Sequence, residues 1–193
     1  KHKGMTYFAL NMRLPGVEVR PLRQITGEAE FNEVYMTDVR VPDADRIGDV
    51  GEGWRVAMTT LSNERTTIGG GGGPPGRGTG AIAEAVRIWQ EEAVEHSPAT
   101  RDRLMKLWTQ AEALRLTNIR AGQNRKAGNP GPEGSIAKLM FAKVNIDIYE
   151  LCVDMLGPQG LIDYDYEMRR SENLGLTGPP GSSRKMFLRS RAN

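Results

Sequence analysis

Cysteine is nearly missing from this chain of 193 residues: Cys152 is the single thiol, so no internal disulfide framework can form. That scarcity fits a reducing compartment, and a cytoplasmic location is the expectation. Cys152 lies in an apolar run with Ile148, Leu151 and Met155, the setting of a small core residue and not of a nucleophile. Histidine is almost as scarce. With His2 and His96 alone there is little material for a His-rich metal site or a Ser-His-Asp triad. No apolar run approaches the ~18 residues of a membrane span. The opening Lys1-His2-Lys3-Gly4-Met5 lacks the apolar core of a signal peptide, and it enters the strand-like Thr6–Leu10 as though cut from a longer chain. Aromatics make up 6% of the residues, and Arg101, Arg103, Arg120, Arg125 and Lys126 scatter without rings between them, which argues against single-stranded nucleic acid as a partner. A large excess of one charge is missing as well: 26 basic against 24 acidic side chains leave +2. Residues 1–96 hold 11 basic and 14 acidic groups and residues 97–193 hold 15 and 10, an asymmetry that solvated helix faces explain more simply than a phosphate ligand.

What is present falls into two kinds of pattern. Residues 5–42 read as β. Thr6–Met12 is a short strand closed by the turn Leu14-Pro15-Gly16, Val17–Arg20 alternates apolar with polar, and Phe31–Thr37 alternates again. Val39-Arg40-Val41-Pro42 is a last extended piece. So few short strands need further partners to make a stable sheet. After Gly51-Glu52-Gly53 the period becomes helical. Trp54, Ala57, Met58, Leu61, Arg65 and Ile68 share one stripe, with Glu64 at its margin. Gly69–Gly80, with eight glycines in twelve residues, reads as a flexible connector. Ile82, Ala85, Val86, Trp89 and Ala93 mark the next helix. Ser97-Pro98 then opens a long one, Ser97 as N-cap and Pro98 in the first helical position. Its stripe of Leu104, Leu107, Trp108, Ala111 and Leu114 leads to about Lys126. Glu133–Leu156 is a second long helix with Ile136, Leu139, Met140, Val144, Ile148 and Leu151 inward, stopped by Gly157-Pro158. Residues 157–182 are loop-rich, and Ser183–Arg191 begins a final helix. The expected fold is mainly α: an antiparallel four-helix bundle over 51–193, preceded over 1–50 by the end of a β-barrel or sandwich-like domain.

Three features could carry chemistry. The window Gly71–Gly78 lacks the Lys-Ser/Thr pair of a phosphate loop, and Pro74 and Pro75 remove two of the amides that would bind an anion. Asp163-Tyr164-Asp165-Tyr166-Glu167 alternates carboxylates as a calcium loop does, but Met168 stands at the position of its glycine and Leu174 at that of its last glutamate. Neither supports a site, and no metal centre is expected. Glu64-Arg65 has two readings. A carboxylate on the edge of an apolar stripe is partly desolvated, which suits a general base held or offset by the neighbouring guanidinium. The same pair could be a helix-edge ion pair with an adjoining element.

Three stretches in order carry a resemblance. Phe31-Asn32-Glu33-Val34-Tyr35-Met36-Thr37-Asp38-Val39-Arg40-Val41-Pro42, leading into Ile47-Gly48-Asp49-Val50-Gly51-Glu52-Gly53-Trp54, resembles the end of the central β-domain of acyl-CoA dehydrogenases, where a V-x-V-P strand precedes a G-x-x-G-x-G turn. Leu61-Ser62-Asn63-Glu64-Arg65 resembles the L-x-x-E-R segment of the first C-terminal helix, and Ala137-Lys138 through Gly157-Pro158-Gln159-Gly160 the A-K-helix-G-G-x-G stretch that helps bind FAD. The resemblance implies removal of the α-proton of an acyl-CoA by a carboxylate while the β-hydride passes to FAD, giving a trans-2-enoyl-CoA, with electron-transferring flavoprotein as the acceptor. It further implies Glu64 as the catalytic base, Arg65 at the substrate, Gly157 and Gly160 at the cofactor, and a homodimer or homotetramer. In another branch of the family the base lies in a later Y-E-G-T segment, beyond Asn193.

The chain also departs from the family pattern. The R-x-x-F-G that reaches the FAD pyrophosphate has no counterpart, Ser97-Pro98-Ala99-Thr100 filling that region. Asp154 stands where a Gln is usual, a charge unhelpful beside a diphosphate, and Pro158 and Gln159 replace the second Gly and the variable position. These departures keep an alternative open: a non-catalytic homologue or fragment whose bundle only mediates oligomerisation.

Overall fold

The structure, a computed structural model, describes residues 2–68, 76–91, 96–129, 131–162 and 183–192. The chain divides into two compact units, Lys1–Gln24 with Ala29–Gly71, and Ile25–Glu28 with Gly72–Asn193.

In the first unit, β1 (Tyr7–Phe8) pairs antiparallel with β4 (Arg46–Ile47), and β2 (Val17–Leu22) with β3 (Phe31–Met36), Val17 opposite Met36 and Leu22 opposite Phe31. The turn into β2 requires glycine: Gly16 has φ +88°, and a Cβ there would lie 2.2 Å from the Thr37 carbonyl oxygen. Two strand expectations change. The first strand shrinks to two residues, and Val39–Pro42 joins no ladder; Arg46–Ile47 pairs instead. The alternation of β3 does not bury one face either, since all six residues are exposed. Among the described residues each sheet is a single strand pair, too few strands to bury a face of its own.

The same unit contains α1 (Gly53–Ile68). Its start is pressed onto the N-terminal segment. Gly53 N–H donates to the Met5 carbonyl at 2.7 Å, and a Cβ at Gly53 would come within 2.8 Å of that oxygen. The apolar stripe of α1 is uncovered: Trp54, Met58 and Leu61 are exposed, with the His2 ring stacked 4.1 Å from that of Trp54.

The second unit is helical. It comprises α2 (Ala81–Glu91), α3 (Pro98–Lys126), α4 (Glu133–Leu156) and α5 (Ser183–Ser190), with α4 packing on each of the other three. Ser97 caps α3 as its sequence suggests: its Oγ accepts from Thr100 N–H at 3.2 Å, with Pro98 in the first turn. The six residues between α3 and α4 return the chain alongside itself. Gly157, at φ +54°, ends α4 and leads into a 3-10 turn, Gly157–Leu161. The core is Ile82, Ala85 and Ile88 of α2, Leu104 and Leu107 of α3, and Val144, Ile148, Tyr149, Leu151, Cys152 and Met155 of α4.

One helical expectation needs correcting. Ile136 and Leu139 point outward, 47% and 75% exposed, while Glu133 and Ala137 are buried at the start of α4. Glu133 Oε1 accepts from Asn124 Nδ2 at 2.8 Å and lies 3.3 Å from Arg120, while its buried Oε2 has no hydrogen-bond partner among the described residues. The described end of the glycine-rich segment makes a close contact. Gly78, at φ +69°, lies so close to Trp108 that a Cβ would come within 2.5 Å of the ring. The rest of that segment over 69–75 and the acidic stretch 163–167 lie outside the described residues.

A polar contact ties α2 to α5: Ser183 Oγ donates to Glu84 Oε1 at 2.8 Å, and Arg87 Nη2 lies 2.7 Å from the same oxygen. The Arg87 hydrogen bond, helped by Ser183, holds the Glu84 carboxyl below its ordinary range. Cys152 nearby is fully buried, and burial pushes its thiol up to about 12, reinforced by the Glu84 charge. This is the inert core cysteine expected from its apolar run. Native protein treated with iodoacetamide at neutral pH should leave Cys152 unmodified by mass spectrometry and react there only after denaturation. Alkylation of the folded protein would contradict the burial.

Candidate cofactor cleft and the helix bearing Glu64

An open cleft of about 480 Å³ lies where the first turns of α3 meet the end of α4, lined among others by His96, Thr100, Arg103, Leu151, Asp154 and Gly157. Each wall follows from local sequence. The Ser97-Pro98 start turns the first residues of α3 toward the cleft, and the break at Gly157 opens its far side. A Cβ on Gly157 would meet nothing within 4 Å, so glycine there serves the positive φ of +54° at which α4 ends. Gly160 is different. It is buried, and a Cβ would lie 2.7 Å from the Val153 carbonyl oxygen, so only glycine lets the 3-10 turn fold back on α4. Of the two glycines assigned to the cofactor, Gly157 lines the cleft and Gly160 supports the turn behind it.

The charge at Asp154 is not bare. Arg103 Nη1 donates to Asp154 Oδ2 at 2.5 Å, and its Nη2 lies 3.8 Å from Glu150, which Arg191 holds at 2.9 Å. Thr100 and Ser97 add hydroxyls to the lining, their oxygens 3.0 Å apart. His96 stacks on Trp89, and its buried Nε2 finds no hydrogen-bond partner among the described residues. Arg103 and His96 line the cleft without being singled out by the sequence. Arg103 was one cation among several, and its partner lies 51 positions away.

Glu64 and Arg65 lie on α1, in the first unit. Glu64 is exposed, so the expected partial desolvation is not present: the stripe whose edge it occupies is itself uncovered. The Arg65 side chain lies outside what the structure describes. A smaller depression in the same unit is lined by Tyr7, Ile47, Gly48, Arg55, Val56, Thr59 and Thr60. No helix among the described residues is long and apolar enough to cross a membrane.

The family profile described as "Acyl-CoA dehydrogenase, C-terminal domain" matches residues 51–175. The chain belongs to the acyl-CoA dehydrogenase family. Among its relatives, acyl-CoA dehydrogenase FadE34 of Mycobacterium tuberculosis is 36% identical over 174 residues, covering 86% of this chain and 23% of FadE34. Acyl-CoA dehydrogenase IpdE1 of the same organism is 34% identical over 179 residues, covering 91% of this chain and 45% of IpdE1. The chain thus spans less than half the length of either relative. The fold is matched by a solved structure described as the Tcur3481-Tcur3483 steroid acyl-CoA dehydrogenase, with TM-score 0.75, 22% identity, and coverage of 99% of this chain and 47% of that one. The mainly helical acyl-CoA dehydrogenase fold expected from the three motifs is the fold observed.

Proposed function

We propose that the full-length protein of which these residues form part is a cytoplasmic FAD-dependent dehydrogenase of acyl-CoA thioesters, producing trans-2-enoyl-CoA. The observation that carries the reading is the family match over residues 51–175, which spans the helix bearing Glu64-Arg65 and the helix ending at Gly157. The cleft is compatible with part of such a cofactor. It offers a guanidinium, two hydroxyls and an orphaned imidazole nitrogen, donors suited to phosphate and ribose oxygens. Arg103, Ser97, Thr100 and His96 would hold that part, with Gly157 leaving room for it. When bound, FAD supplies the acceptor for the β-hydride. Glu64 takes the α-proton of the thioester onto its carboxylate. Arg65 places a fixed positive charge beside it on the substrate side. Electron-transferring flavoprotein is the proposed acceptor of the electrons, and a homodimer or homotetramer the proposed assembly.

Full-length protein should purify yellow with FAD. Anaerobic addition of straight-chain, branched or steroid side-chain acyl-CoA should bleach the flavin for at least one of them, with a product two hydrogens lighter by mass spectrometry. A folded, assembled protein that carries no flavin and consumes none of these thioesters would overturn the proposal in favour of the oligomerisation bundle, the reading that the missing R-x-x-F-G favours.

A further inference from the structure

The short helix α5 is held more by charge than by apolar burial. Eight residues are too few for a helix standing alone in water, where ~12–15 are needed, so α5 is helical because it is docked. Its apolar anchor is small: Met186 and Phe187 are partly buried against the helical core. Its charge is one-sided. Ser183–Arg191 contains Arg184, Lys185, Arg189 and Arg191 and no acidic residue. Among the described residues, three carboxylates from separate places in the helical unit meet it. Glu84 of α2 accepts from Ser183 Oγ at 2.8 Å, and Glu150 of α4 accepts from Arg191 Nη2 at 2.9 Å. Glu28 takes the middle: its Oε1 accepts from Lys185 Nζ, and its Oε2 lies 3.6 Å from Arg189 Nη1. Lys185 and Arg189 are one turn apart, so one carboxylate spans both.

The three carboxylates are not equivalent. Glu84 and Glu150 also have cations on other helices, Arg87 at 2.7 Å and Arg103 at 3.8 Å. Both cations that Glu28 meets are on α5, and its side chain is only 15% exposed, so water weakens these contacts little. Its segment Ile25–Glu28, between β2 and β3 in sequence, belongs to the helical unit. We propose that Glu28 is an electrostatic latch for α5, and that α5 detaches as a unit, ahead of the rest of the helical unit, when the attraction is weakened. Ser183 also hydrogen-bonds with the Cys152 thiol, so release of α5 uncovers the Cys152 side of α4. A helix docked by apolar burial keeps its protection as salt rises, whereas one docked by charge loses it.

The test is hydrogen–deuterium exchange of the full-length protein, read by mass spectrometry on peptides covering α5 and α4. In the wild type, α5 should exchange faster than α4. Raising NaCl from about 0.1 M to about 1 M shortens the Debye length from ~10 Å to ~3 Å, and should speed α5 several-fold while leaving α4 unchanged. Glu28→Gln keeps the shape and removes the charge. It should speed α5 exchange at low salt by at least about tenfold, the value of one hydrogen bond to a charged group, and remove most of the salt dependence. Asp102→Asn is the control: it breaks an exposed pair with Lys106 on α3 and should leave α5 exchange as it is. Wild-type α5 protection that stays flat or rises with salt would mean that Met186 and Phe187 hold the helix, and the inference fails. It fails equally if Glu28→Gln exchanges at the wild-type rate. Should Glu28→Gln not fold, the wild-type salt series decides the question by itself.

Discussion

Glu64→Gln in the full-length protein should leave FAD bound but slow its reduction by acyl-CoA at least about 10²-fold, and up to about 10⁴-fold. The amide keeps the shape and the hydrogen-bonding reach of the carboxylate but has no basic lone pair for the α-proton. Arg65→Lys should be milder, because the charge survives and only the fork geometry is lost. Glu52→Gln is the control. Glu52 is at the turn before α1 and pairs at 2.5 Å with Arg55, so its loss should barely change flavin reduction. Stopped-flow absorbance of the flavin separates these variants, and equilibrium FAD binding shows whether any effect lies in cofactor retention instead. Reduction of Glu64→Gln at the wild-type rate would move the base elsewhere and return Glu64 to the helix-edge ion pair. The uncovered stripe of Trp54, Met58 and Leu61 sharpens the test. A base at Glu64 needs water excluded around it, so this face of α1 must be covered in the working enzyme. Solvent protection of α1 by hydrogen exchange in the full-length protein would accompany the kinetic effect.

The parts of this fold legible in the sequence are those set by local chemistry. Ser97 and Pro98 announce the start of α3 through hydroxyl capping and a missing amide, and α4 runs over Glu133–Leu156 as its period and Gly157 indicate. Periodicity says which residues share a stripe, not what lies against it. Hence the stripe of α1 and the apolar Ile136 and Leu139 share a periodic face and yet are exposed. Strands fared worse where pairing is distant in sequence. Arg46–Ile47 has no alternation to reveal it and exists as a strand because Tyr7–Phe8 lies beside it. The same holds at the candidate cleft. Gly157 is visible as a helix stop, but Arg103 and Asp154 meet across 51 residues, a distance over which no spacing rule operates. Asp154 alone is a charge unhelpful beside a diphosphate; in the fold it is paired with Arg103.

Leu151→Ala should be among the most destabilising single changes in the helical unit, at about 2–5 kcal/mol. Leu151 is 1% exposed on α4, the helix that packs on α2, α3 and α5, so removing three carbons leaves a cavity that no single neighbour can close. Leu139→Ala on the same helix removes the same atoms from a side chain 75% exposed and should stay within about 0.5 kcal/mol of wild type. Urea unfolding followed by helical circular dichroism makes the comparison, and comparable losses in the two variants would mean that the inward face of α4 is wrongly assigned. Leu151 has a second consequence that a purely structural residue would lack. It lines the cleft beside Asp154, so the cavity opens under the proposed cofactor site as well as in the core. Leu151→Ala should therefore weaken FAD binding even at temperatures where the protein remains fully folded, whereas Leu139→Ala should not. The packing that stabilises α4 is the same packing that holds the Asp154 end of the cleft against Arg103 on α3.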